Sequence, residues 1–374
     1  PTIADLAERA KRRIPPVAWA YLQTGTGQEE ALYRNTKAFE RVCFQPQFCA
    51  GAFSPEIATS LFGTDFSAPF GIAPIGLSGL IWPRSEVYLA QSATRLGIPY
   101  ALSTVATETP EAVGPHLQGN GWFQLYPPKD PALRRELLTR ATAAGFGTLL
   151  LTLDVPVPSR RERTRRAGLQ TPPKITPDFI WQGITHPRWS WHTLSRGLPQ
   201  LRTVVEYAQS NNMKTVGNFL RYQWRENIDW RYCEEVRAAW DGPLVLKGIL
   251  HPADAQRAVA IGADGIVVSN HGGRQFDGAP ASLEVLPQIV RAVDGQIKIL
   301  FDSGVRSGLD IIRALHLGAD FVLLGRAFLY GVAALGPKGG DHVYHILVED
   351  LKNNMQQLGA RQLSDLPNLT RFVQ

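Results

Sequence analysis

From residue 70 onward the chain alternates short, continuously apolar runs with amphipathic stretches of helical period. The runs are FGIAP, YALST, WFQLY, TLLLTLD, LVLKG, GIVVS, KILFD and FVLLG. Unbroken Val/Ile/Leu runs of this length suit parallel strands buried on both faces. Between several of them lie segments such as DPALRRELLTRATAAG, HPADAQRAVAIGA and GLDIIRALHLGA, each closing on a glycine placed to cap a helix C-terminus. Eight such units predict an α/β fold, the TIM (β/α)8 barrel. The period breaks once, for roughly 90 residues between the fourth and fifth strands, a gap long enough to be an inserted element.

The layout expected is one domain. Residues 1–66 form an N-terminal helical extension, residues 67–335 the barrel with an insertion at about 155–242, and residues 336–374 C-terminal helices. The segment PTIADLAERAKRRIPPVAWAYLQ reads as an amphipathic helix, a proline break and a second helix, without the apolar core of a secretory signal. With 44% hydrophobic residues in 374 there is ample material for a large core. Cys43, Cys49 and Cys233 are too few and scattered for a disulfide framework, so a reducing, cytoplasmic setting is expected. The net charge of +6 is unevenly placed. Between Arg160 and Arg202 nine Lys/Arg, Lys174 among them, face two acids, Glu162 and Asp178. That segment could meet an anionic surface, while no nucleic-acid partner is expected.

In this fold chemistry sits at the C-terminal ends of the strands, above apolar layers that fill the barrel. The polar residues fall there: Ser103, Gln124 and Tyr126, Thr152 and Asp154, Lys247, then Ser269, His271 and Arg274, Asp302 and Arg306, and Gly325 with Arg326. Each alone reads as a cap or turn residue; together they converge on one mouth. After strands seven and eight, DSGVRSG and LLGRAF combine glycines with Arg306 and Arg326 where this fold commonly holds a phosphate. Lys247, Gln124, Thr152 and Ser103 would face a flat polar heterocycle. With no GxGxxG after a strand and no Walker pattern, flavin mononucleotide (FMN) fits the set better than a nicotinamide dinucleotide. No metal motif is present.

The stretches SNHGGRQ, LVLKGI, FQLYPPKD, LLTLDVPVPSRRE, FDSGVRSGLDIIRALHLGAD and LLGRAFLYG resemble the FMN-dependent L-2-hydroxy acid oxidase/dehydrogenase family, over about Ile3 to Leu366. APIGLSGLIWP and THPRWSW are most similar to its bacterial, membrane-associated mandelate and lactate dehydrogenases. The resemblance implies His271 as catalytic base oriented by Asp154, Arg274 and Arg161 as the substrate-carboxylate clamp, and Tyr21 and Tyr126 as further substrate contacts. It implies FMN bound by Ile75, Gly76, Ser103, Gln124, Thr152, Lys247 and Ser269 at the ring, and by Asp302, Gly304, Arg306, Gly325 and Arg326 toward the phosphate. It also implies a homotetramer. Within about 177–216, Phe179, Ile180, Trp181, Trp189 and Trp191 lie with Arg188, a mixture that favours a peripheral place on the inner face of the cell membrane and with it a quinone-type acceptor; the alternative is that these aromatics pack on the barrel's outer face or at an oligomer interface.

There are departures from the family pattern. Ile75 stands where many relatives carry Thr, Ser159 where a glycine is usual, and Thr164 where the nearest branch has Asp, so Arg160 and Arg163 compete with Arg161 for the clamp. Gly76 and Val105 stand where some oxidases carry Ala and Trp, which predicts a roomier pocket for an aromatic or branched substrate. Two other readings are a Schiff-base aldolase built on Lys247 and a non-catalytic surface-binding protein built on the Trp-rich insert. A soluble oxidase that uses O2 and makes peroxide is the alternative within the family.

Overall fold

All eight apolar runs become strands of one closed parallel barrel: β1 (Phe70–Ile72), β2 (Tyr100–Ser103), β3 (Gly121–Leu125), β4 (Phe146–Thr152), β5 (Leu244–Ile249), β6 (Gly265–Val268), β7 (Lys298–Phe301) and β8 (Phe321–Leu324). The computed structural model describes residues 1–46, 48–169, 176–209, 213–223 and 228–372. Neighbours in sequence are neighbours in the barrel, and β8 closes on β1 through pairs such as Val322–Phe70. Ala101, Trp122, Leu150, Val245, Val267, Leu300 and Phe321 fill the interior. Burying each aliphatic side chain is worth about 1.5–3 kcal/mol, so the strands have little freedom to shift and the groups at their ends are held by a stiff frame.

The crossover helices begin and end where local chemistry dictates. Asp130 caps Pro131–Ala143 by accepting from Ala132 N at 2.8 Å, and His251 caps Pro252–Ala260 by accepting from Ala253 N at 3.1 Å. Gly145, Gly262 and Gly318 follow their helices at φ of 87°, 73° and 101°, the left-handed turn that glycine takes without steric cost. At the N-terminus, Ile3–Arg13 and Pro16–Gln23 are the expected helices, followed by Glu30–Glu40.

The N-terminal extension is not helical throughout. Thr59–Leu61 and Thr64–Phe66 form an antiparallel hairpin, turned by Phe62 and Gly63, both at positive φ. Leu61 and Phe66 plug the barrel floor against Trp122 and Phe321. Runs of three residues carry no usable alternation, which is why periodicity passes over them.

The insertion is helical and folded back onto the barrel. It contains Glu162–Arg166, Pro177–Thr185, Pro187–Arg196, Arg202–Ala208, Met213–Gln223 and Trp230–Ala239. The Trp189 indole donates to Leu80 O at 3.0 Å, Gln182 accepts from Val17 N at 3.0 Å, and Arg202 pairs with Glu108 at 3.0 Å. Trp189 is therefore a buried anchor, not one of the surface aromatics that the sequence grouped with Trp181 and Trp191. Lys174, and residues 210–212 of the 177–216 segment, lie outside the described residues. Among the described residues no helix is long and apolar enough to cross a membrane.

Candidate active site

The strand ends surround a cavity of about 490 Å³. His271 enters it from the turn His271–Gly273 that follows β6, at φ 58°, a sparsely populated conformation for a residue with a side chain. Several bonds over-determine that turn. His271 N donates to Ser269 Oγ at 3.0 Å and Gly272 N to Ser303 Oγ at 3.0 Å. Asn270 exchanges 2.7 Å hydrogen bonds with Asn35 of the third N-terminal helix and accepts from Gly273 N at 3.1 Å. Asn270 lies inside SNHGGRQ, whereas Asn35 has no local sequence signal, since only the fold brings it there.

His271 Nδ1 lies 2.9 Å from Asp154 Oδ1, and its Nε2 faces the cavity, 3.4 Å from the Tyr126 hydroxyl. Burial, helped by the charges of Lys247 and Arg161, outweighs Asp154 and holds the imidazole below its ordinary value, so it rests as a neutral base. Burial works to raise Asp154, but His271 and Lys247 bring it below the usual carboxylate range. Burial also pushes the Tyr126 phenol up to about 12, leaving it a hydrogen-bond donor.

Lys247 is buried at the end of β5, with Nζ 3.0 Å from Asp302 Oδ2 and 2.8 Å from Ser269 Oγ. Burial opposes its charge, yet Asp302 and Asp154 hold it above the ordinary lysine value. A Schiff base needs a neutral amine, so this lysine is a fixed cation and the aldolase reading loses its nucleophile. Across the mouth Gln124 accepts from Ser103 Oγ at 2.7 Å and donates to Thr152 Oγ1 at 2.8 Å. Gln124, Thr152, Lys247 and Asp302 line the cavity; Ser103, Ser269 and Asp154 stand behind them and brace Gln124, Lys247 and His271.

Two arginines face each other beside His271. Arg274 stacks on the Tyr21 ring at 4.9 Å and donates to Tyr21 O at 3.1 Å. Burial and the charge of Arg161 press it down to about 9. Arg161 is held by Ser159 Oγ at 3.1 Å and Gln275 Oε1 at 3.4 Å, neither of which sequence reading assigned to the site. Among the described residues neither guanidinium forms an ion pair with a carboxylate. Arg163 is committed to Glu29, and Arg160, largely exposed, lies 3.5 Å from Glu162. Tyr21 reaches the rim by donating to Gly76 O at 2.8 Å.

The opposite end is built from Gly304, Arg306, Gly325 and Arg326. A Cβ on Gly304 would lie 2.4 Å from Asn35 O, so only glycine fits beneath that stretch of backbone. Arg306 stacks on Tyr330 at 5.7 Å. Arg326 donates to Leu22, Gly272 and Thr24 carbonyls at 2.9–3.1 Å, tying the Tyr21 helix to the His271 turn. A cationic, glycine-lined end suits a phosphate, and a buried set of amide, hydroxyl and ammonium donors suits a polar ring. The donor chemistry therefore fits a flavin mononucleotide.

The model of the FMN-dependent dehydrogenase family matches residues 10–371. An L-lactate dehydrogenase of Acinetobacter baumannii is 40% identical over 364 residues, covering 97% of this chain and 95% of that protein. One of Stenotrophomonas maltophilia is 40% identical over 97% and 96%. Among solved structures, the monotopic membrane protein (S)-mandelate dehydrogenase superposes with a TM-score of 0.95 at 34% identity, covering 100% of this chain and 99% of that one. A mandelate oxidase superposes at 0.85 and 32% identity over 100% and 98%. With a family match spanning nearly the whole chain and a cavity chemically suited to the cofactor, the protein belongs to the FMN-dependent dehydrogenases and is an FMN enzyme of the hydroxy-acid dehydrogenase/oxidase family.

Proposed function

We propose that this enzyme oxidises an L-2-hydroxy acid of mandelate or lactate type to the 2-oxo acid and passes the electrons to a quinone-type acceptor at a membrane surface. The observation that carries the chemistry is a neutral His271 held by an ionised Asp154 and facing Arg161 and Arg274, neither of which has a carboxylate partner among the described residues. Arg161 and Arg274 clamp the substrate carboxylate, which relieves their mutual repulsion. Tyr21 and Tyr126 hydrogen-bond the substrate, and His271 Nε2 takes its proton while Asp154 fixes the tautomer through Nδ1–H. FMN, when bound, supplies the two-electron acceptor. Gln124, Thr152, Lys247 and the backbone of Ile75 and Gly76 would hold its ring, Asp302 its ribityl chain, and Gly304, Arg306, Gly325 and Arg326 its phosphate. Ser103 and Ser269 keep the ring contacts in place from behind.

The substrate side group is bounded by Val105. The space above Gly76 is filled, because a Cβ there would lie 2.6 Å from Val105 Cγ2. The absent bulk relative to a tryptophan therefore lies at Val105 itself. We expect kcat/KM for L-mandelate to exceed that for glycolate, and Val105→Ala to shift the ratio further toward the aryl acid by roughly tenfold, the scale of a methyl group or two in an apolar pocket. Steady-state kinetics with both acids decide it; a preference for glycolate in the parent enzyme overturns the assignment.

The acceptor reading rests on the insertion. Ile180, Trp181 and Ile184 on one helix, and Trp191 and Leu194 on the next, are 53–75% exposed, and Arg188 and Arg196 are exposed beside them. Aromatic and aliphatic groups next to cations favour the headgroup boundary of a bilayer, and the mandelate dehydrogenase neighbour is itself described as monotopic. The likeness to mandelate oxidase favours the soluble, O2-using alternative. Replacing Trp181, Ile184, Trp191 and Leu194 with glutamine leaves the anchors Trp189 and Gln182 intact. The quadruple variant should lose sedimentation with anionic liposomes, and the parent should reduce a quinone faster than O2. Equal sedimentation together with rapid peroxide formation makes it an oxidase.

A further inference from the structure

Gly248 follows Lys247 at the mouth end of β5. The ladder to β6 pairs Lys247 with Val267 and Ile249 with Val268, so Gly248 is an extra residue that bulges from the strand. Its φ is 105°. A Cβ on Gly248 would lie 2.5 Å from Cβ, 2.6 Å from Cγ and 3.0 Å from Oδ2 of Asp154. The two residues sit side by side because Leu153 N donates to Lys247 O at 2.9 Å, continuing the β4–β5 pairing past the end of β4. The Asp154 side chain therefore lies flat on the α-carbon of Gly248. In that orientation Oδ1 meets His271 Nδ1 at 2.9 Å, while Oδ2 is buried without a hydrogen-bond partner among the described residues. A buried carboxylate oxygen left unpaired is costly, so the orientation must be imposed by what surrounds it.

We infer that Gly248 is a positioning residue for the His271–Asp154 pair: its missing side chain is the space the Asp154 carboxylate occupies. The absence of a Cβ leaves room for the rotamer that aims Oδ1 at the imidazole. This rests on the role proposed for His271. The groups that act on His271 are Asp154, Lys247, Arg161 and Tyr126. Asp154 is the anion among them, so moving it leaves burial and two cations unopposed and makes His271 a weaker base.

The test uses the FMN-loaded enzyme with Gly248→Ala, Asp154→Asn and the double variant. Gly248→Ala should lower kcat by roughly tenfold or more, a part of the general-base contribution, with KM changed less than about twofold because Arg161 and Arg274 are untouched. The acid limb of kcat/KM should move to lower pH, and the flavin absorption spectrum should stay as in the parent, since Lys247 is not displaced. On the Asp154→Asn background the glycine substitution should add less than about twofold, the non-additivity of residues that act through one another. Losses that multiply, an unmoved acid limb, or a changed flavin spectrum overturn the inference. If Gly248→Ala is too unstable to assay, Gly248→Ala/Asp154→Gly removes the atoms it would strike, and its melting temperature should rise part of the way back toward that of Asp154→Gly, the remaining gap being the cost of alanine at φ 105°. The absence of any recovery assigns the defect to the backbone angle alone and also overturns the inference. A parent enzyme whose flavin no 2-hydroxy acid reduces refutes the functional reading, and the melting-temperature comparison still judges the contact.

Discussion

His271→Ala is expected to retain FMN and to lose at least about 10²–10⁴-fold in the rate of flavin reduction by the hydroxy acid, the usual contribution of a positioned base. The ring and phosphate contacts come from other strand ends, so cofactor content should not change. The parent enzyme should also show the base in its pH profile. His271 must be neutral to accept a proton, and burial with the nearby cations lowers it from the ordinary value of 6.5. Activity is then present above that lowered value and is lost as the pH falls through it, so the acid limb of kcat/KM lies below 6.5. Asp154→Asn removes the main group that raises His271, which should drive the limb lower still and reduce kcat. Anaerobic stopped-flow bleaching across pH measures both effects; a His271→Ala variant that reduces its flavin at the parent rate removes this residue from the mechanism.

Arg274→Lys is expected to raise KM by about ten- to a hundredfold although it keeps a formal cation, because a charge-assisted bidentate pair is worth about 1.5–3 kcal/mol. Two physical effects act together. A lysine offers a point charge where the carboxylate needs a planar fork. The site is also hostile to an unpaired cation: the same surroundings bring Arg274 from 12.5 down to about 9. A lysine starting near 10.4 would there lose much of its charge around neutrality, and the KM of the variant should become pH-dependent. Arg161→Lys should act in the same direction with a smaller effect, since its guanidinium is shared with Ser159 and Gln275. Unchanged KM in the Arg274 variant would move the carboxylate clamp elsewhere.

The chain by itself determined the barrel and the end of it at which chemistry occurs. Continuous apolar runs such as TLLLTLD can be buried on both faces only in a covered parallel sheet, and the polar residue that stops each run must then sit at the rim. The glycine that closes DPALRRELLTRATAAG, Gly145, was equally legible as a helix cap, since its effect acts within a few residues. The resemblance of SNHGGRQ and its companions brought the candidate residues. The tertiary structure decided which of them face the cavity and which stand behind it. Arg161 is distinguished from Arg163 because Glu29, 134 positions away, takes the latter. Ser103 braces Gln124 because β2 and β3 pair the two at the same level, and Ser269, one residue past the end of β6, meets the Lys247 ammonium at 2.8 Å. Trp189 is buried while Trp181 and Trp191 are not, because only one of the three reaches Leu80. Periodicity and capping are short-range and leave their mark on local sequence, whereas the partner of a charge and the burial of an aromatic ring depend on residues that come together only when the chain closes.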